Sequence, residues 1–270
     1  MKGSESASTA KDTSRRAVVR AAVATTGTIA GLAALGTTPG VAATGAAAAG
    51  RRSPERGPRI GILLHDGYSL LDPTGPAEIL SRLPGATATM LAERRGPVRT
   101  DTRDVAVVAA RSIDEIDQLD VLVVPGAGER GTREAMGNPV LLDWIRRIDR
   151  HTRWTTSVCT GSLVLAAAGL LRGREATTYW ASKDFLAPFG ATYVPRRYVH
   201  SGKFITGAGV SAGQDMALHL AQQIAGDTVA QAIQPAVEYD PEPPFDTGSP
   251  DKADPELQQL ALRLPADSQK

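Results

Sequence analysis

The sequence predicts an α/β protein, built as a doubly wound, mostly parallel sheet with helices on both faces. Short β-branched runs alternate with longer stretches of helical spacing from Arg59 to Gly226, the pattern that builds parallel sheets through helical crossovers. No internal repeat and no Gly/Ser linker interrupts that region. The 270 residues are 42% hydrophobic, enough for one large core with an appendage.

The elements follow in order. "RIGILL" from Arg59 is an apolar strand, and "LLDPTGPAEILSRL" reads as a loop leading into an amphipathic helix. "ATATMLAE" is a second strand and "VAVVAA" a strand or hairpin arm. "LDVLVVPGAG" is a buried β-branched strand that stops at a glycine turn, and "PVLLDWIRRIDR" carries apolar residues at helical spacing opposite basic ones. "RWTTSV" is a strand and "TGSLVLAAAGLL" a buried helix. "GVSAGQDMALHLAQQIAG" places Val210, Met216, Leu218 and Leu220 in a helical run that ends at Gly226, a capping glycine. These boundaries give an α/β domain over 58–226. The following 227–270 form a proline-rich arm, extended over the six-proline stretch from Gln234; it reads either as a disordered tail or, given Val237, Tyr239 and Phe245, as an arm laid over its own domain or a second copy.

Residues 1–43 read as a twin-arginine export signal: Arg15 and Arg16 follow Ser14, then comes a weakly apolar Ala/Val/Thr/Gly run, then small residues around Val41-Ala42-Ala43. Arg20 and several glycines make that run a poor permanent membrane helix. Residues 44–57 read as a disordered linker. Removal of 1–43 takes away five basic and two acidic residues and leaves 25 basic against 27 acidic, net −2. That balance carries no electrostatic footprint for nucleic acid, and no DNA- or RNA-binding motif is present. The expected location is therefore outside the cytoplasm, periplasmic or secreted, with no membrane span kept after cleavage. A single cysteine excludes a disulfide within the chain.

Three places could carry chemistry. Cys159 stands between the β run "TTSV" and the helix opened by Thr160 and Gly161. That is a strand-to-helix turn in which helix N–H groups would favour the thiolate and a small residue two positions on lets the turn close. Asp72, in "LLDPTGP", could act as a base or hold a water from a partly desolvated pocket, or could simply cap a turn. Gly126, Ala127 and Gly128 end a buried strand, where backbone N–H groups could face a ligand as an oxyanion site or form a plain tight turn. The histidines His65, His151, His200 and His219 show no metal-ligand spacing, so neither a metal nor a cofactor is expected. Trp144, Trp154 and Trp180 read as packing residues.

Together, "GILLHDGYSLLDPTGPAEIL", "VLVVPGAG", "TTSVCTGSLVLAAAGLLRGREATTYWA" and "FITGAGVSAGQDMALHLA" resemble the ThiJ/PfpI superfamily, with its class I glutamine amidotransferase-like, flavodoxin-type fold. Within it the resemblance is to the isonitrile hydratase branch, runs over roughly 59–250, and persists into the proline-rich "VEYDPEPPFDTGSP". It implies a thiolate at Cys159 that attacks an isonitrile carbon, Asp72 as the acidic partner, and Thr160 supplying a hydroxyl and an N–H. Gly126, Ala127 and Tyr179 would contribute to the oxyanion and substrate-binding region. The implied partners are a small-molecule substrate and a second copy in a homodimer. Two departures stand out: Tyr179 in "TTYW" where relatives often carry histidine, and "PGAG" where they commonly carry "PGG". The alternatives are another cysteine-dependent hydrolase, amidase or glyoxalase-like activity on the same thiol, and a silent ligand-binding or oxidation-sensing domain.

Overall fold

The computed structural model describes residues 56–268. The predicted export signal and nearly all of the predicted linker lie outside the described residues. Each strand of the central sheet alternates its side chains between two apolar layers, and this alternation organises the fold. In β6 (Val121–Val124), Val121 and Val123 join one core cluster while Leu122 and Val124 join the other. The strand is buried on both faces, so it reads as an unbroken apolar run.

Seven strands make the sheet: β1 (Arg59–Leu63), β2 (Thr87–Ala92), β5 (Arg111–Ser112), β6, β7 (Trp154–Val158), β10 (Tyr198–Ser201) and β11 (Phe204–Gly207). Their order is β10-β11-β7-β6-β1-β2-β5. Every pair is parallel except β10 with β11. The "VAVVAA" run is a hairpin arm: β4 (Ala106–Ala109) pairs antiparallel with β3 (Gly96–Arg99) outside the main sheet. A two-residue parallel pair, β8 (Glu175–Ala176) with β9 (Thr192–Tyr193), stands apart as well.

Helices cover both faces. On one lie α1 (Leu71–Leu80), α5 (Ala212–Ala225) and α6 (Asp227–Ala236), which bury Ile79, Leu80, Met216, Leu220 and Ile233. On the other lie α2 (Glu129–Met136), α3 (Pro139–Asp149) and α4 (Gly161–Ala167), which bury Ala135, Trp144, Ile145 and Leu165. Asn138 caps α3 by accepting from the Leu141 N–H at 3.2 Å, and Pro139 opens the helix where no N–H is needed.

Three expectations are corrected. "LDPTG" is helix rather than loop: Pro73 falls in the first turn, where a missing N–H costs nothing. The buried face of α1 is Asp72, Pro73, Gly75, Pro76, Ile79 and Leu80, helical in spacing but too polar and small to read as an apolar stripe. Residues 227–236 are helix α6 rather than the start of an extended arm, because Ala230 and Ile233 pack into the core beside α5. The extended segment begins after Val237, and a second helix, α7 (Pro255–Ser268), follows it. Tyr239 pins the extended segment to its own domain through a 2.7 Å hydrogen bond from its hydroxyl to Asp215, while Phe245 stays exposed.

The first crossover runs from β1 to β2, and the chain then returns to place β6 on the other side of β1. That reversal opens a crevice at the carboxyl ends of β1 and β6, the place where sheets of this kind bind ligands.

Candidate active site

Four carboxyl-end loops meet at this crevice. Cys159 follows β7 and adopts φ 57°, a left-handed conformation uncommon for a side chain of this size. Such a residue costs on the order of 1–3 kcal/mol and persists only where its surroundings hold it. Here both of its peptide groups are held. The Cys159 N–H donates to the carbonyls of Gly207 (3.1 Å), the last residue of β11, and Ala208 (2.7 Å). The Cys159 carbonyl accepts from the hydroxyls of Ser162 and Thr178, both at 3.1 Å.

Glycine is required where the elbow meets the turn after β6. A Cβ on Gly126 would stand 2.6 Å from the Thr160 nitrogen and 2.8 Å from the Cys159 Cβ. One on Gly161 would stand 2.2 Å from the Val124 carbonyl oxygen. The two backbones therefore touch, and Gly161 closes this packing rather than relieving a strained dihedral of its own.

Asp72 is fully buried on the first turn of α1. Its Oδ2 accepts from the Gly126 N–H at 2.8 Å, and its Oδ1 has no protein partner. Burial raises its pKa to about 7, helped by the charge of Asp101 and opposed by the Gly126 N–H. Asp72 and Cys159 thus flank the same glycine, and the Asp72 charge acts on the sulfur.

The thiol itself departs from expectation. Burial pushes its pKa up, the Asp72 charge adds to this, and the N–H groups of Thr160 and Val210 with the Thr160 hydroxyl oppose it. Desolvation of a residue only 4% exposed outweighs what the N-terminus of a seven-residue helix supplies.

The glycine turn directs its N–H groups to protein partners. The Gly126 N–H is given to Asp72, and the Ala127 N–H to the Thr160 Oγ1 at 3.0 Å. The turn spends these donors on fixing Asp72 and Thr160. The Thr160 hydroxyl also lies 2.8 Å from that of Thr132 and 3.2 Å from the Ala127 carbonyl, so it ties the elbow to the turn. Tyr179 is half-buried, its ring against Gly209, and burial raises its phenol pKa, with a Cys159 thiolate adding to this when it forms. The six predicted residues, Cys159, Asp72, Thr160, Gly126, Ala127 and Tyr179, are brought together.

Two contributors carry no sequence signal of their own. Val210 reaches the sulfur through its N–H only because β11 pairs with β7. His65, buried after β1, donates its Nε2–H to the Pro125 carbonyl at 3.1 Å and so steadies the turn beside Asp72. No group of three or more His, Cys, Asp or Glu side chains arranged to hold a metal occurs among the described residues.

Residues 58–223 match the model of the DJ-1/PfpI family. The chain belongs to the DJ-1/PfpI family. It is similar to the isonitrile hydratase of Pseudomonas putida, 43% identical over 195 residues that cover 72% of this chain and 84% of that one. A crystal structure of a ThiJ/PfpI family protein from Pseudomonas syringae superposes with a TM-score of 0.74 at 34% identity, covering 79% of this chain and 88% of that one. The HTH-type transcriptional regulator CdhR of Pseudomonas aeruginosa is 33% identical over 140 residues, 51% of this chain but 40% of the regulator. Within the DJ-1/PfpI family the strained cysteine after β7 and the carboxyl after β1 thus sit on a shared scaffold with different uses. No helix among the described residues is long and apolar enough to cross a membrane.

Proposed function

We propose that this chain hydrates isonitriles to N-substituted formamides through Cys159. The observation that carries the reading is the pairing of the buried Cys159 thiol with a buried carboxyl whose pKa is raised to about 7, both flanking Gly126. Similarity to the Pseudomonas putida enzyme supplies the substrate class.

An isonitrile carbon carries a lone pair and accepts a nucleophile and a proton at the same atom. Asp72, as carboxylate, takes the Cys159 proton while the sulfur bonds to that carbon. The same proton then passes from Asp72 to the carbon, giving a thioimidate, R–N=CH–S. Water adds across the C=N bond: its oxygen goes to carbon, one proton reaches nitrogen through Asp72, and the other stays on the new hydroxyl. Collapse breaks the C–S bond, leaves R–NH–CHO, and returns the hydroxyl proton to sulfur. The sum is one isonitrile and one water to one formamide.

The occupied turn favours this chemistry over acyl transfer. A tetrahedral oxyanion would need open donors, and the Gly126 and Ala127 N–H groups are already engaged. The first step of isonitrile hydration builds charge on carbon rather than oxygen.

The test is formamide production from an aryl isonitrile by purified protein. Wild type is expected to turn over and Cys159→Ala to be inactive; turnover that survives in Cys159→Ala would overturn the assignment. Twin-arginine export and homodimer assembly belong to the same proposal. Arg15→Lys with Arg16→Lys is expected to retain the protein in the cytoplasm, and sedimentation of the processed chain is expected to give twice the monomer mass.

A further inference from the structure

We propose that His200 and His219 form a two-imidazole site for a late first-row divalent metal ion, Ni2+, Cu2+ or Zn2+, which clips the edge strand β10 to helix α5. The site is separate from the Cys159 chemistry and does not depend on it.

His200 lies on β10, the antiparallel edge of the sheet, and His219 lies in the middle of α5. The His219 Nε2 stands 3.2 Å from the His200 Nδ1. The His200 Nε2 is 2.8 Å from the Gly202 carbonyl. A carbonyl can only accept, so Nε2 carries the proton and Nδ1 presents a lone pair. This is the outer-shell arrangement of metal-binding histidines, whose second nitrogen donates to a backbone carbonyl and fixes the ring. The rings are also packed: Tyr198 stacks on His219 with centroids 4.7 Å apart, and Trp154 meets His200 edge-on at 5.3 Å.

The spacing fits an ion. Two nitrogens each ~2.0–2.1 Å from one metal stand ~3.3 Å apart at a tetrahedral angle and ~2.9 Å apart at a right angle. The pair at 3.2 Å needs the rings only to pivot. Without metal, His219 donates its Nε2–H to His200. On binding, that proton moves to the His219 Nδ1 through solvent, so each ring presents one lone pair to the ion. Neutral imidazole suits copper, nickel and zinc. His200 is exposed and His219 half-buried, so an ion can enter from solvent and keep water in its other positions.

The experiment is titration of the tag-free full chain with Ni2+ by calorimetry and with Cu2+ by electron paramagnetic resonance. One equivalent per chain, nitrogen hyperfine structure from imidazole and a higher Tm with Ni2+ are expected. His200→Ala and His219→Gln should each weaken binding about tenfold or more, while His151→Ala and Cys159→Ser bind as wild type. Absence of saturable binding, or binding that survives in His200→Ala and disappears in Cys159→Ser, would overturn the site. Should His219→Gln fail to fold, His200→Ala on the exposed edge strand decides the question alone.

Discussion

Asp72 is the residue whose placement most constrains the chemistry. Its Oδ1 has no protein partner, and its pKa is raised to about 7 because burial disfavours the carboxylate. If the carboxylate takes the thiol proton, kcat/KM should rise about tenfold per pH unit below 7 and level off above it. In Asp72→Asn that limb should vanish and the rate fall by roughly 10²–10⁴. Stability should move the other way. Asp72 ionises near pH 3.8 when unfolded and near 7 when folded, so its burial costs nothing below about pH 4. The cost grows up to pH 7 and there reaches at most about 4 kcal/mol. Denaturant midpoints should therefore show Asp72→Asn more stable than wild type at pH 8, with the gain fading toward pH 4. A gain at pH 4 that matches the gain at pH 8 would contradict buried ionisation. The carboxyl and its partial desolvation are legible in "LLDPTGP"; its complete burial is not, because that depends on elements far along the chain, among them α5, which packs against α1.

The elements divide by how much of their environment is local. Strands β6 and β7 were legible because β-branched residues and the following glycine or cysteine turn are written contiguously. The first half of helix α1 reads as a loop because Asp72, Gly75 and two prolines occupy its buried face, while its second half is legible as helix. Helix α6 was missed because Gly226 and Pro235 look like terminators, while Ile233 finds its partners only once α5 is in place. The two-residue β5 has no periodicity to detect. Leu122→Ala in β6 removes a fully buried side chain away from the elbow. It is expected to cost about 2–5 kcal/mol of unfolding free energy and leave kcat near wild type, read by denaturant titration and assay. Gly126→Ala should do the reverse, since its Cβ would displace Thr160 and Cys159. Loss of turnover at least as large as the loss of stability is expected, and an active Gly126→Ala would show that the elbow and turn need not touch.

At the scale of the molecule, a parallel sheet brings the ends of β1, β6, β7 and β11 to one edge, so residues 72, 126, 159 and 210 become neighbours. The family resemblance and the parallel sheet were legible before folding; the engaged glycine turn and the raised thiol pKa were not, since both depend on burial. Past Val237 the chain returns to its own domain at Tyr239, whose hydroxyl meets Asp215, itself paired with Arg197. Tyr239→Phe is expected to free this segment, read as faster amide exchange over 237–254, with turnover unchanged. The account rests on a covalent bond between Cys159 and the isonitrile carbon. The most direct measurement is intact-protein and peptide mass spectrometry after acid quench of a single turnover with an aryl isonitrile. A transient gain of one isonitrile mass is expected on the peptide carrying Cys159, absent in Cys159→Ala. Formamide formed at the same rate by Cys159→Ala, with no adduct at any point of the wild-type turnover, would contradict it.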